Sequence, residues 1–206
     1  MKRTHFSTVL ALAASLSVLP AVNAEEKSAV AALAPATPLA NPGTAGAGGV
    51  YTFVQRNLVK AAEKMPEESY GFKPAADVRT FGQLVGHVAD AQFMMCSLVL
   101  GEKAAPRNVE KTKTAKTDLV DALKESCALC ERAYKVSDAD AAKPVEIFGM
   151  KMNGFGVLGL ALAHGYEHYG NMTTYLRIKG IVPPSSEGQP PMDHAAKPAE
   201  KAPEKK

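Results

Sequence analysis

Four stretches of this chain repeat apolar residues at helical spacing, and nowhere does alternation of apolar and polar residues run long enough to build a series of strands. The first, residues 50–64, places Val50, Phe53, Val54, Leu58, Ala61 and Met65 on one face, with Pro66 at its end. The second, 81–100, opens on Thr80-Phe81-Gly82-Gln83, the spacing of a capping box in which Thr80 and Gln83 each satisfy a free amide. Its stripe is Phe81, Leu84, Val88, Ala91, Met95 and Leu98, and Gly101 suits its stop. The third, 118–136, aligns Leu119, Val120, Leu123, Cys127, Cys130 and Tyr134. The fourth, 155–179, aligns Val157, Leu160, Ala161, His164, His168 and Tyr175 and closes at Gly180. Between them, 143–152 reads either as a short hairpin or as a loop. The pattern specifies an all-α fold, a four-helix bundle. The linker between the first two helices, roughly 15 residues, is long for a simple hairpin connection and leaves room for a crossover.

The last helix is rich in glycine, with Gly154, Gly156, Gly159, Gly165 and Gly170 in or beside it. Each interior glycine costs up to about 1 kcal/mol of helix propensity. Close approach of a neighbouring backbone or a ligand would account for them.

The ends of the chain read differently. Lys2 and Arg3 precede an apolar run from Ser7 to Val22, and Val22-Asn23-Ala24 is a small-residue cleavage pattern, so 1–24 is expected to be a secretory signal peptide. The run falls short of the roughly 20 residues a membrane span needs, so no stable span is expected after cleavage. Losing Lys2 and Arg3, and no acid, lowers the formal charge from +3 to +1. With no basic stripe and no interleaved aromatics, no nucleic-acid partner is expected. Residues 25–48, rich in Ala, Pro and Gly, read as a linker, and 185–206, with four prolines, as a disordered tail. The folded domain is therefore expected at 49–184, exported to the periplasm or secreted.

Three histidines lie on apolar faces of that domain. His164 and His168, four residues apart, project from one side of the last helix one turn apart. His87, on the second helix, also faces the interior. Three buried imidazoles close together must find partners, and a divalent metal holds all three neutral. Three protein ligands leave a further position open, the pattern of a catalytic site. A metal there acts as a Lewis acid or lowers the pKa of a bound water or thiol. The plain alternative, three core histidines bonded to backbone and to each other, predicts no stoichiometric metal. His164-Gly165-Tyr166-Glu167-His168 also matches the inverted zinc-peptidase pattern, but the acids that follow all lie in the tail, so that class lacks its third ligand. Glu167 and Tyr169 are the candidate catalytic assistants.

These pieces together resemble a known family. Thr80-Phe81-Gly82-Gln83-Leu84-Val85-Gly86-His87-Val88-Ala89-Asp90-Ala91-Gln92 is similar to the second helix of DinB-like (YfiT-like) metalloenzymes. His164-x-x-Glu167-His168-Tyr169-Gly170 and the exit through Tyr175-Leu176-Arg177 to Pro183-Pro184 are similar to their last helix, and Met65-Pro66-Glu67-Glu68-Ser69-Tyr70 to their linker. The resemblance spans about residues 50–185. It implies a four-helix bundle with a crossover, often a homodimer, and a divalent ion, zinc or nickel first among candidates, on His87, His164 and His168. Some members are thiol-dependent transferases or isomerases, and with the open metal position the expected activity is a hydrolase or thiol-type transferase acting on a small molecule. A non-catalytic bundle that holds metal or ligand is the other reading. Export sets this chain apart from the better-known cytoplasmic members and argues against a cytosolic thiol as cofactor.

Of three cysteines, Cys127 and Cys130 form C-x-x-C on a helix face, and Cys96 stands off the stripe of the second helix. The spacing allows a Cys127–Cys130 disulfide that would constrain little, buried free thiols, or an intermolecular bond.

Overall fold

Four long helices and two short ones, joined late in the chain by a hairpin, make up the computed structural model, which describes residues 39–188 apart from residue 104. In chain order these are α1 (Pro42–Lys64), α2 (Phe81–Leu100), α3 (Val109–Thr112), α4 (Lys116–Ala133), α5 (Asp138–Ala141), β1 (Pro144–Ile147), β2 (Met150–Asn153) and α6 (Gly154–Ile178). The signal segment 1–24 and residues 189–206 of the tail lie outside the described residues.

α2 packs on α4 and α6, and α1 packs on α6 and α4, so the four long helices close a ring. In that ring α1 lies diagonal to α2, and α4 to α6. The connections α1–α2 and α4–α6 therefore both cross the bundle. The first is built by the 65–80 linker, whose backbone carbonyls take the free amides at the start of α2: Phe81 N–H donates to Phe72 O at 2.9 Å and Gly82 N–H to Tyr70 O at 2.8 Å. The Thr80–Gln83 capping box completes that end, and Gly101, at φ 67°, closes the other. α2 is long and apolar enough to cross a membrane. Its apolar side chains meet α4, α6 and α3 instead.

α1 corrects the sequence reading in two ways. It begins at Pro42, inside the stretch read as a linker, although Gly43, Gly46, Gly48 and Gly49 all fall within it. The cap comes from far along the chain. The Asp138 carboxylate accepts from Gly43 N at 3.0 Å and Thr44 N at 2.9 Å, and Thr44 Oγ1 donates to Val136 O at 2.9 Å. Its buried face runs through Tyr51, Val54, Leu58, Ala61 and Met65, while Val50 and Phe53 are exposed. Stacking of Tyr51 on Tyr134, 4.5 Å between centroids, sets this rotation. At the opposite end, Pro184–Ser186 forms a 3-10 turn and Glu187 pairs with Lys64 at 2.8 Å. The fold thus runs a few residues past 184.

The 143–152 segment is a hairpin. β1 and β2 pair antiparallel, Val145 opposite Met152 and Ile147 opposite Met150. The turn residues Phe148 and Gly149 both take positive φ, 54° and 74°, as a two-residue turn with right-handed strand twist demands. Ile147 is buried with Met95, Val157 and Ala161, which fastens the hairpin to one end of α2 and α6.

The cysteines pair as no spacing rule foretold. Cys96 on α2 bonds Cys130 on α4, with Cα atoms 5.1 Å apart, and Cys127 is free and buried. Cys96 was read as lying off the helix stripe, yet it is fully buried, because α2 is covered on several sides. Contact across the α2–α4 face outcompetes the local pair on α4.

Candidate metal centre

His87 comes from the middle of α2, and His164 and His168 from consecutive turns of α6. The α2–α6 contact brings them face to face. Their Nε2 atoms converge: His164 Nε2 lies 3.1 Å from that of His87 and 3.0 Å from that of His168. The candidate ligand atoms all lie within 4.8 Å of one another. Nitrogens about 2.0–2.1 Å from a common ion would sit roughly 3.0–3.4 Å apart, depending on the coordination angle, so both pairs that His164 makes match a metal-binding spacing.

Burial and chemistry agree with that use. His168 is buried, and His87 and His164 are partly so. Burial, then the neighbouring His87 ring, pushes the His164 imidazole down to about 4. Burial, then His164 and His87, does the same for His168. Both rings are therefore neutral near pH 7 and carry a free lone pair. An imidazole Nε2 offers either one N–H or one lone pair, so His164 Nε2 cannot serve both neighbours with good geometry. A cation at the centre takes all three lone pairs at once. Outward, His168 Nδ1 lies 3.3 Å from the Asn171 amide, and His87 Nδ1 lies 3.3 Å from Glu110 Oε2. His164 Nδ1 is buried without a hydrogen-bond partner among the described residues. The three sequence-selected histidines are thus brought together and fit a divalent ion.

The other two candidates divide. Glu167 is exposed and lines an open cleft of about 700 Å³ beside His168, together with Arg79, Gln83, Glu110 and Asn171. Tyr169 is buried, and its hydroxyl donates to Ser185 Oγ at 2.8 Å while accepting from Ser185 N at 2.9 Å. It anchors the C-terminal segment against α6. Glu110, Asn171 and Arg79 escaped the sequence reading. Glu110 and Arg79 come from segments between the long helices, where helical period carries no signal, whereas Asn171, three residues after His168 on α6, could have been found from helical spacing.

Glycines set how closely the histidine-bearing helices are approached. A Cβ on Gly165, between the two α6 histidines, would sit 2.7 Å from Val54 Cγ1 of α1. A Cβ on Gly86, next to His87, would sit 2.7 Å from Glu110 Cα and 2.8 Å from Glu110 N. By contrast, nothing lies within 4 Å of such an atom on Gly159 or Gly170, so close approach does not explain every glycine of α6. Alanine favours a helix over glycine by about 1 kcal/mol. At Gly86 the obstacle is backbone, and overpacking of that kind costs about 1–3 kcal/mol. Gly86→Ala is expected to lower the urea-unfolding free energy, whereas Gly159→Ala is expected to raise it.

Comparison with known proteins agrees with this architecture. The DinB superfamily matches residues 51–172. A curated relative, "Uncharacterized protein YjoA" of Bacillus subtilis (strain 168), is 27% identical over 129 residues, 61% of this chain and 84% of the relative. Among solved structures, a DinB-like protein from Bacillus cereus ATCC 10987 superposes with TM-score 0.58 at 20% identity, covering 65% of this chain and 91% of its own. The crystal structure of B. subtilis YjoA gives TM-score 0.54 at 23% identity, covering 66% and 92%. The family match spans more than half of the chain and includes all three histidines: this protein belongs to the DinB superfamily.

Proposed function

We propose that this protein is an exported metal-dependent enzyme of the DinB superfamily, a hydrolase or group transferase acting on a small molecule in the cleft beside His168. The observation that carries the reading is the convergence of three imidazole nitrogens at the edge of an open cleft. When bound, a divalent ion, zinc or nickel first, supplies Lewis-acid polarisation and lowers the pKa of a coordinated water or thiol. The chain's own part is to hold the three histidines preformed, His164 and His168 neutral by burial, and to place Glu167, exposed at the cleft, where it can accept a proton from a bound nucleophile. Gln83, Arg79 and Asn171 supply donors to orient a polar substrate.

Export rests on the Lys2-Arg3 start, the apolar run and the Val22-Asn23-Ala24 pattern. The Cys96–Cys130 disulfide supports it, because such bonds persist in oxidising compartments. A fusion of residues 1–30 to a reporter active only outside the cytoplasm tests it, and a silent reporter would refute export. The activity is tested by screening the zinc- and nickel-loaded protein against ester, amide and thiol-conjugate substrates. Turnover abolished by a chelator and by His168→Ala, and reduced by Glu167→Gln, is the expected result. Metal binding without turnover of any substrate would favour a non-catalytic binding module.

A further inference from the structure

We infer that Glu110 is a positioning residue of the metal centre, selecting the tautomer of His87 that points a bare Nε2 at the ion. The inference rests on the three-histidine reading above and extends it to a residue 23 positions away in sequence, on a different helix.

α2 holds the segment that carries Glu110 against the turn that carries His87. One turn after His87, the Asp90 carboxylate accepts from Val109 N at 2.9 Å and from Glu110 N at 3.0 Å. One residue before it, Gly86 leaves room for the Glu110 backbone, which any side chain there would meet at 2.7 Å. Val109 itself is buried in the main core. The backbone of Glu110 is thus located from both sides of His87. Its side chain then divides its oxygens: Oε1 accepts from Arg79 Nε at 2.9 Å, and Oε2 lies 3.3 Å from His87 Nδ1.

An ionised carboxylate can only accept, so the hydrogen of a neutral His87 ring belongs on Nδ1. Nε2 is then left as a lone pair, facing His164 Nε2 at 3.1 Å. Without Glu110 the ring is free to carry its hydrogen on Nε2 and to rotate. Outer carboxylates of this kind orient metal-bound histidines and raise their basicity, and losing one costs about 10–100-fold in metal affinity. The competing account is that Glu110 merely pairs with Arg79 at the surface, or acts on the ion through its charge alone.

Full-length protein, stripped of metal, is titrated with Zn²⁺ against a chelating dye, for wild type, Glu110→Ala, Arg79→Ala, His87→Ala and the Glu110→Ala/His87→Ala pair. The expected result is a 10–100-fold loss for Glu110→Ala with the thermal midpoint of the metal-free protein unchanged. Arg79→Ala is expected to bind as tightly as wild type or tighter, since it removes a positive charge near the cation. In the His87→Ala background, Glu110→Ala is expected to add no further loss, and Co²⁺ absorption bands are expected to shift in Glu110→Ala but not in Arg79→Ala. Equal losses from Glu110→Ala with and without His87 would reduce its role to charge and overturn the inference, as would wild-type affinity in Glu110→Ala. A fall in the metal-free midpoint matched by Arg79→Ala, with equal zinc loss in both, would make the role structural and also overturn it. Wild-type affinity in His87→Ala would instead refute the metal centre itself.

Discussion

Zinc added to the metal-free protein at about a thousand times its Kd will stabilise the fold by about 4 kcal/mol, and His87→Ala will remove nearly all of that gain. For a folded region of about 150 residues this corresponds to a rise in Tm of roughly 8–16 °C. The size follows from preorganisation. His164 and His168 are already fixed by one helix, His87 is brought to them by the α2–α6 contact, and all three Nε2 atoms converge before any ion arrives. An ion that meets three converged ligands in the folded chain and scattered ones in the unfolded chain stabilises only the former. Replacing His87 leaves a two-ligand site on α6, so its zinc-induced shift should shrink to a small remnant. His168→Ala should do the same. Identical zinc-dependent melting in wild type and both variants, measured by calorimetry over a zinc series, would show that the histidines are ordinary core residues.

Reduction of the Cys96–Cys130 bond is expected to lower stability by about 3–4 kcal/mol, the entropy released when a loop of this length is no longer closed in the unfolded chain. The bond joins α2 to α4 and encloses α3, the segment that brings Glu110 to His87. Reduction should therefore also weaken zinc binding more than Cys127→Ser does. Urea unfolding with and without reductant, alongside Cys96→Ser, measures the first effect. Cys127→Ser should retain the disulfide, and a local Cys127–Cys130 pair would instead be lost in it. Burial pushes the Cys127 thiol up to about 12, so its thiolate fraction at pH 8 is very small. A thiol reagent should accordingly find no reactive cysteine in the native protein at that pH and one per chain after unfolding in denaturant. A native chain that reacts rapidly would contradict both the burial and the pairing.

The sequence by itself determined the four long helices, the capping box at Thr80, the stop at Gly101 and the inward faces of the three histidines, because each depends on residues within a turn or two along one helix. Helical period places His164 beside His168 without help, and the position of His87 on an apolar face aims it at the interior. What only the tertiary structure decided are the features whose partners lie far along the chain. α1 starts at Pro42, a residue suited to a first helical position, but with four glycines in its first turns it needs the cap that Asp138, 94 residues on from Thr44, supplies. Its rotation follows a Tyr51–Tyr134 stack, so Tyr51 took the buried place expected of Val50 and Phe53. Cys96 found Cys130 rather than leaving it to Cys127, since contact between helices outweighed neighbourhood on one. Glu110 reached His87 from a short segment outside the periodic stretches of the long helices. Short-range order is written in residues close enough to share a turn. The outer shell of the site is assembled by packing, which joins residues that the chain keeps apart.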